Sequence, residues 1–424
     1  MPPADTGAST VIRVGASISP SEPPLPPKLS PGGAGYRRAL YALFAAGLAT
    51  FALLYSTQAL LPAISVGLSL SPAEASLTVS AATAALAVAL LPMSALSEKY
   101  GRTAVMTASV FSAAGLALII PFAPNLTWLV VLRAVQGAAL AGLPATAMAY
   151  LAEEVHPKAV ASAIGLYVAG NSIGGMSSRI LTGAVAQYAG WRAALLAVGL
   201  MSLACAIAFR MLAPAARHFR PAPVNPAALW RTVTTHLGNP LLRRLYLIGL
   251  LFMAVFGAVY TVLGYRLAAQ PFALSQSAIG LIFLVYLVGT AASAGSGRLL
   301  ARLGRRGALY VAVALVAAGL LLTLSGSLAL ILAGLVLITG GFFTGHAIAS
   351  GAVSRTATFG RAQASALYLT AYYIGASLGG TVGASAYHSA GWSGTVALAL
   401  AAVVSVACIT LYGTRQAIAA ARTA

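Results

Sequence analysis

Acidic side chains are scarce in this sequence, which has six Asp or Glu among 424 residues against 25 Lys or Arg. All six lie outside the long apolar runs, at Asp5, Glu22, Glu74, Glu98, Glu153 and Glu154. The apolar runs therefore contain no carboxylate that burial could turn into a proton-carrying group.

Cysteine is rarer still, with only Cys205 and Cys408, both inside apolar runs. This excludes a disulfide scaffold and a CxxC metal or redox site, and both side chains are expected to be packing residues. The sequence also lacks an embedded nucleophile with its base, a metal-ligand cluster and a phosphate-binding loop. Neither an enzyme nor a bound cofactor is predicted.

Hydrophobic residues make up 59% of the chain and charged residues 7%, with a mean hydropathy of +0.89. Apolar segments of roughly 18 to 25 residues recur, the length that an α-helix needs to cross a ~30 Å hydrocarbon core. They are continuously apolar, whereas a barrel strand alternates over about ten residues. We count twelve, at 39–62, 75–96, 104–123, 126–150, 159–187, 193–213, 243–266, 276–297, 307–325, 328–353, 363–387 and 394–413. The predicted fold class is an all-α integral membrane protein.

The net charge of +19 is distributed asymmetrically between the loops. If the N-terminus is cytoplasmic, inner segments carry 21 of the 25 basic residues and outer loops carry only Arg192 and Arg266. The other two, Arg133 and Arg179, lie inside helices. This is the positive-inside pattern, which predicts both termini in the cytoplasm and a lipid rather than a nucleic-acid partner. Few lysines, many arginines and much alanine suggest a GC-rich bacterial genome and hence the inner membrane.

The twelve segments form two similar sets of six. FALLY from Phe51 matches FGAVY from Phe256, GNSIGG from Gly170 matches GASLGG from Gly375, and three further matches follow the same order at offsets of 201 to 205. The chain is therefore a duplicated six-helix unit, predicted to fold as two pseudo-symmetric bundles. A short surface helix is expected near 225–237. The predicted divisions are a disordered tail 1–36, bundles 37–213 and 242–413, a linker 214–241 and a second tail 414–424.

Two parallel six-helix halves with a site between them near the midplane are how one large class of secondary transporters is built. From about Arg37 to Gly413 the chain resembles a major facilitator superfamily transporter. The sequences LLYSTQALLP, GNSIGGMSSRILTG and Gly-Trp after the fifth helix resemble the twelve-helix drug and arabinose-efflux permease branch, the drug:proton antiporters.

The resemblance implies a secondary active transporter working by alternating access, with proton-coupled efflux of small amphiphilic molecules such as drug-like compounds or sugars. Its partners would be a small-molecule substrate, protons and the lipid bilayer, and it would act as a monomer. Two other functions stay open. One is an importer or facilitator of a sugar or organic anion, and the other is a membrane sensor or receptor on a transporter scaffold.

The charged stretch SALSEKYGRT, residues 94–103, corresponds to the family's loop between helices 2 and 3. A second copy, GRLLARLGRR, begins at Gly297 and has alanine at the acidic position. The resemblance implies a one-sided cytoplasmic clasp that holds the halves together when the site faces outward. The alternative is that these charges only set topology. The predicted gating set is Glu98, Gly101, Arg102, Glu153, Glu154, Arg302, Gly304 and Arg305, with Glu153 and Glu154 as candidate acids for Arg102.

Charged groups inside the bilayer are costly and are therefore functional candidates. Arg133 and Gln136 are spaced i, i+3 and share a helix face. They match the family's Arg-x-x-Gln-Gly motif, whose arginine is associated with proton coupling. The alternative is that Arg133 only hydrogen-bonds helix ends across the bundle. His346 is a third coupling candidate because histidine titrates near neutral pH, although a packing role is the alternative.

Helix 5 carries a motif that resembles the antiporter motif, with Gly170, Asn171, Gly174 and Gly175 at its defining positions and Asn171 in place of the usual proline. Its glycines serve either gating or ordinary close packing. Arg179 lies further along the same helix, nearer the outer surface at 1.5 Å per residue. It is expected to snorkel to the headgroups.

Polar and aromatic side chains on several helices predict a substrate cavity. The family resemblance implies that helices 1, 4, 7 and 10 line it. Each aromatic alone has packing or interfacial anchoring as the alternative. The predicted cavity residues are Tyr55, Gln58, Tyr167, Tyr260, Phe343, Tyr368 and Tyr372.

Overall fold

The structure is a computed structural model that describes residues 27–221 and 225–423. Nine helical stretches in this part of the chain are long and apolar enough to cross a membrane. Three of them contain a break, at Gly190, Gly304 and Ala390–Gly391, and each of these three supplies two spans. The described residues thus form twelve spans, which confirms the all-α membrane fold.

The spans are numbered in chain order. Spans 1 to 4 are Ala34–Leu68, Pro72–Tyr100, Arg102–Phe122 and Leu126–Glu154; spans 5 and 6 share Pro157–Leu212; span 7 is Pro240–Ala268; spans 8 and 9 share Gln276–Leu322; span 10 is Leu328–Thr356; and spans 11 and 12 share Arg361–Thr423. A linker helix, Pro226–Gly238, lies where the short surface helix is predicted. Spans 1–6 are called the N-terminal half and spans 7–12 the C-terminal half.

The two motif loops contain tight turns at equivalent glycines. Gly101 ends span 2 with φ 99°, and Gly304 separates spans 8 and 9 with φ 65°. A side chain at such an angle would crowd the backbone, which is why glycine occupies both positions. The two motif copies therefore share a left-handed glycine at the same position.

The two halves share an equivalent pair of spans that pack backbone to backbone. In the N-terminal half, a Cβ on Gly170 or Gly174 of span 5 would strike the backbone of span 1. In the C-terminal half, a Cβ on Gly375 or Gly379 of span 11 would strike the backbone of span 7 in the same way. Small residues allow such close approach in membranes, where packing rather than hydrophobic burial drives helix association. The duplication visible in the sequence is therefore also present in the packing.

Because successive spans alternate in direction, the start of span 1, the linker helix after span 6 and the end of span 12 lie on one side, called here the terminal side. Hydrogen bonds between the halves concentrate on the opposite side. Ser65 on span 1 bonds the Tyr265 hydroxyl on span 7 at 2.6 Å, and Gln187 accepts from the Gln276 backbone N–H at 3.0 Å. Nearer the middle, Thr370 donates to the Ala87 carbonyl at 3.3 Å.

Spans 5 and 8 complete the closure of the opposite side. A Cβ on Gly183 would lie 2.6 Å from the Gln276 carbonyl oxygen, and one on Gly280 would lie 2.7 Å from the Arg179 carbonyl oxygen. Within residues 27–221 and 225–423, no hydrogen bond joins spans of different halves nearer the terminal side than the one from Thr370 to Ala87. Hydrogen bonds between the halves therefore lie on the opposite side and near the middle, where spans 2 and 11 also pack together.

The last part of the predicted disordered tail is ordered. The Leu29 backbone N–H donates to the Glu154 carbonyl at 2.8 Å, and Leu29 accepts from the His156 N–H at 2.9 Å. Helix begins at Ala34. The prediction is therefore wrong for residues 27–36, because backbone pairing with a distant loop has no local sequence signal. Residues 1–26 lie outside the described part of the chain.

Candidate functional site

Arg133, with 0% exposure, binds backbone carbonyls of two other spans. Its Nη1 and Nη2 donate to the carbonyls of Leu53 at 2.8 Å and Leu54 at 2.5 Å, and its Nε donates to Thr78 at 2.9 Å. Span 1 is not α-helical between Leu54 and Gln58. The carbonyls before this interruption lack the partners that a continuous helix supplies, and the guanidinium replaces those partners.

The predicted pair of Arg133 and Gln136 is present. Gln136 accepts from Arg133 Nη1 at 2.6 Å and donates to the Ala113 carbonyl on span 3 at 2.9 Å. Four of the five guanidinium N–H groups therefore have good acceptors. These bonds favour the alternative in which Arg133 holds helix ends, while its part in proton coupling stays a prediction.

The prediction that Arg179 snorkels to the headgroups is wrong, because only 1% of this residue is exposed. Its Nε donates to Gln58 Oε1 at 3.0 Å, its Nη2 donates to the same oxygen, and its Nη1 donates to the Gly175 carbonyl at 2.5 Å. Span 8 packs against span 5 at this depth through Gly280. Helix length gives the depth of Arg179 along span 5, but it does not show that another helix covers the side chain there.

Three aromatic rings from both halves surround the Arg179 guanidinium. Its Cζ lies 4.6 Å from the ring centroid of Tyr55, 4.8 Å from that of Phe283 and 5.1 Å from that of Tyr286. These distances fall within the range of cation–π attraction. Gln58 and these three aromatic residues, together with Arg179, are called the Arg179 cage.

Sequence reasoning missed two members of the cage, Phe283 and Tyr286. They stand three residues apart at a short 3₁₀ turn, Phe283–Val285, that interrupts the start of span 8. The only available signal was this pair of aromatic side chains, which is weak because aromatic residues are common in membrane helices. The polar stripe on span 1 predicts Tyr55 and Gln58 as cavity residues; both contact Arg179, and their part in a substrate cavity stays a prediction.

Predicted cavity residues of the C-terminal half adjoin the cage. The Tyr260 hydroxyl bonds Thr339 at 2.5 Å, and its ring centroid lies 5.4 Å from that of Tyr286 in an edge-to-face arrangement. The ring centroid of Phe343 lies 6.3 Å from that of Tyr286, and the Phe343 ring packs against Gly289. Aromatic side chains of spans 7, 8 and 10 therefore line the face of the cage across from span 5.

A second polar centre in the same half is formed by His346 and two tyrosines. The Tyr368 hydroxyl lies 3.0 Å from His346 Nδ1, and the Tyr372 ring centroid lies 4.7 Å from the imidazole centroid. Tyr167 does not join these residues. It packs in a separate core cluster of the N-terminal half, where Asn171 lies beside its hydroxyl.

The predicted clasp residues of the first motif copy separate into two local sets of contacts. Arg102 forms an ion pair with Glu153 at 2.9 Å, so one of its two candidate acids is the partner. Glu154 instead accepts from the backbone of Arg217 at 2.8 Å and bonds the His218 ring at 2.9 Å. Both contacts lie within the N-terminal half and its linker. They therefore fix the start of span 3 and the end of span 4 rather than join the halves.

Glu98 lines a cleft of about 180 Å³ on the terminal side. The cleft lies between span 2, the linker helix residues Asn225 and Thr232, and Gln363 of span 11. Glu98 thus faces the other half, and no ion pair of Glu98 occurs within the described ranges.

The second motif copy has like charges where the first has an ion pair. Arg305 lies near Arg306 and Arg355, and its neighbour Arg302 is exposed. The first copy's ion pair uses Glu153 of span 4 rather than the motif acid Glu98, whose counterpart in the second copy is Ala301. Within the described residues, the first copy thus has an ion pair that the second copy lacks, and a clasp between the halves stays a prediction.

The residues of the antiporter-like motif lie at the packing surface between spans 1 and 5. Gly170 and Gly174 approach the span 1 backbone, and the Asn171 side-chain oxygen faces Gly47 of the same span. Gly175 supplies the carbonyl that accepts from Arg179. Close packing is therefore present at the motif, and a gating role stays a prediction.

Comparison with known proteins gives concordant results. The family model described as Major Facilitator Superfamily matches residues 42–266. The inner membrane transport protein YnfM of Escherichia coli (strain K12) is 40% identical over 381 residues, which cover 90% of this chain and 90% of that protein. The uncharacterized MFS-type transporter YybF of Bacillus subtilis (strain 168) is 39% identical over 363 residues, covering 86% and 90%.

Among solved structures, a bacterial homologue of the human lysosomal transporter Spinster superposes with a TM-score of 0.72. The match covers 91% of this chain and 98% of that one at 17% sequence identity. At this identity the likeness establishes the fold alone.

Proposed function

This chain belongs to the Major Facilitator Superfamily and is a membrane transporter rather than an enzyme, and on that premise we propose proton-coupled efflux of small amphiphilic molecules by alternating access. One observation carries the proposal. Hydrogen bonds between the two halves lie on the opposite side and near the middle, and a buried polar site, the Arg179 cage, lies between the halves.

The terminal side is proposed to be cytoplasmic. Most basic residues belong to the loops and tails of this side, in agreement with the positive-inside rule. The structure would then correspond to a carrier whose site is reached from the cytoplasm. A green fluorescent protein fused after Ala424 should fluoresce, whereas alkaline phosphatase at the same place should be inactive; the reverse result would invert the proposed topology.

Alternating access requires the opposite-side contacts to break while contacts on the terminal side form. Ser65–Tyr265 and the Gly183–Gly280 crossing are the contacts to break. Glu98 is proposed to act when the terminal side closes, because its cleft separates span 2 from span 11 on that side. Reversing the population from 1:99 to 99:1 needs roughly 5.5 kcal/mol of differential binding from substrate and coupling ion together.

Few titratable side chains within the spans are available to carry the coupled proton. No Asp or Glu lies well inside a span, so His346 with its Tyr368 partner is the proposed proton-carrying centre. A second candidate function, a facilitator of a sugar or organic anion without proton exchange, is supported by the same lack of an embedded carboxylate.

The test is proton flux in proteoliposomes that contain the purified protein and an internal pH dye, with lipophilic dyes, sugars and organic anions added in turn. Substrate-dependent proton movement opposite to the substrate supports antiport. Counterflow of substrate without proton movement supports the facilitator. A protein that moves no solute in either assay would contradict both.

A further inference from the structure

We propose that the Arg179 cage binds the carboxylate of a small amphiphilic anion, an inference that rests on the proposed transport function and names its substrate class. The cage lies between the halves, where an alternating-access carrier holds its substrate. Three features of the cage support an anion: its uncompensated charge, its unused hydrogen-bond donors and its aromatic walls.

The charge of Arg179 has no carboxylate partner. Within the described ranges, Glu153 pairs with Arg102, Glu154 binds His218, and Glu74 caps the start of span 2 through Ser71. Burying a guanidinium without an opposite charge is unfavourable, and cation–π contacts offset only part of that cost. An anionic substrate would supply the missing charge.

Arg179 and Arg133 differ in how fully their donors are used. The guanidinium of Arg133 has acceptors for four of its five N–H groups, mostly backbone carbonyls. Arg179 uses three N–H groups on two acceptor atoms, Gln58 Oε1 and the Gly175 carbonyl. Two N–H groups of Arg179 therefore remain for a ligand, and a planar guanidinium matches a carboxylate in geometry.

The buried Tyr286 hydroxyl also lacks a hydrogen-bond partner, although its ring lies against Arg179. Unsatisfied buried polar groups are rare and need an explanation. A carboxylate at Arg179 would accept a hydrogen bond from this hydroxyl. Tyr55, Phe283 and the adjoining Tyr260 would contact the apolar body of the same molecule.

Binding of the anion also affects a hydrogen bond between the halves. The Gln58 oxygen now accepts from Arg179, while its Nε2 donates to Thr261 of the C-terminal half at 3.4 Å. A carboxylate on the two unused N–H groups competes with Gln58 Oε1 for the charge of Arg179 and weakens its hold on this side chain. One bond between the halves is then free to break when the substrate is bound.

The experiment uses three probes of nearly equal shape and different charge: benzoate, benzamide and benzylammonium. Binding to the purified full-length protein is measured by isothermal titration calorimetry and by the shift of the unfolding temperature. Benzoate should bind and stabilise the protein, and the other two probes should bind at least tenfold more weakly. Equal binding of all three, or no binding of benzoate, would overturn the proposal.

Two variants test the residues. Arg179→Gln should weaken benzoate binding by roughly 10- to 100-fold, the loss expected for charge-assisted hydrogen bonds. Tyr286→Phe removes a hydroxyl without a partner, so a purely structural role predicts unchanged benzoate binding, whereas the proposal predicts a several-fold loss. Arg192→Gln is the matched control, since Arg192 donates only to the Pro121 carbonyl outside the cage. Unchanged affinity in both cage variants would refute the site.

Counterflow of benzoate in proteoliposomes separates this inference from the transport function. If benzamide or benzylammonium exchanges and benzoate does not, the substrate class is wrong while transport stands. If benzoate binds through Arg179 but no solute moves, the binding site stands and the proposed transport function fails.

Discussion

Gln58 links Arg179 to Thr261: its side-chain oxygen accepts from the guanidinium at 3.0 Å, and its amide nitrogen donates to the Thr261 hydroxyl at 3.4 Å. Arg179 belongs to span 5 of one half and Thr261 to span 7 of the other. One short polar side chain therefore connects the buried cation to a contact between the halves.

Opening of the opposite side can be followed with a reporter cysteine at Ser65, a buried residue at the contact with Tyr265. The background would lack Cys205 and Cys408. A membrane-impermeant maleimide added from the opposite side labels the reporter only when the halves separate there, so the labelling rate measures the open fraction.

Gln58→Met is expected to raise the labelling rate. Methionine has a similar length but cannot bond Thr261 or Arg179, and a net hydrogen-bond contribution of 0.5–1.5 kcal/mol corresponds to roughly a 2- to 10-fold change in population. Thr261→Val is the control that removes only the bond between the halves. Labelling that stays at the parent rate in both variants would show that Gln58 does not hold the halves together.

Gly183→Leu is expected to open the opposite side further than Gln58→Met does. The new Cβ would lie 2.6 Å from the Gln276 carbonyl oxygen and 3.0 Å from Gly280 Cα, and overpacking typically costs about 1–3 kcal/mol. Gly165→Leu on the same span is the control, since an added Cβ there meets nothing within 4 Å. Equal labelling of the two variants would argue against the crossing as a closure contact.

Arg133→Ala is expected to destabilise the protein by about 3 kcal/mol or more, because carbonyls at the span 1 interruption lose charged donors. The measurement is unfolding in detergent, with Arg192→Ala as the control for removing a partly exposed arginine. A variant with normal unfolding but no transport would instead place Arg133 in coupling, as the family resemblance implies.

Glu98→Gln is expected to shift the population toward the state open on the terminal side, and therefore to lower reporter labelling at Ser65. The carboxylate faces the linker helix and Gln363, where closure would bring polar partners closer. Glu153→Gln is the control. This variant breaks a partly exposed ion pair within one half. It should lower the free energy of unfolding by less than about 1 kcal/mol and leave the labelling rate unchanged. If Glu98→Gln labels at the parent rate, Glu98 has no part in the closure.

Contacts that follow from local spacing were predictable. The turns at Gly101 and Gly304, the pair of Arg133 and Gln136, and the neighbourhood of Tyr55 and Gln58 all depend on residues close in sequence or in a recognisable repeat. The cage was not predictable in the same way, because spans 1, 5 and 8 contribute to it from distant parts of the chain.

The sequence by itself determined the number of spans, their two-fold repeat and the asymmetry of basic charge, because hydrophobic length and loop charge are local properties that the bilayer selects. Only the tertiary structure decided which arginine faces carbonyls and which faces aromatic rings. Arg133 and Arg179 look alike in sequence, each a single cation in an apolar helix. Their surroundings differ because an interruption in span 1 offers carbonyls to one, while span 8 covers the other.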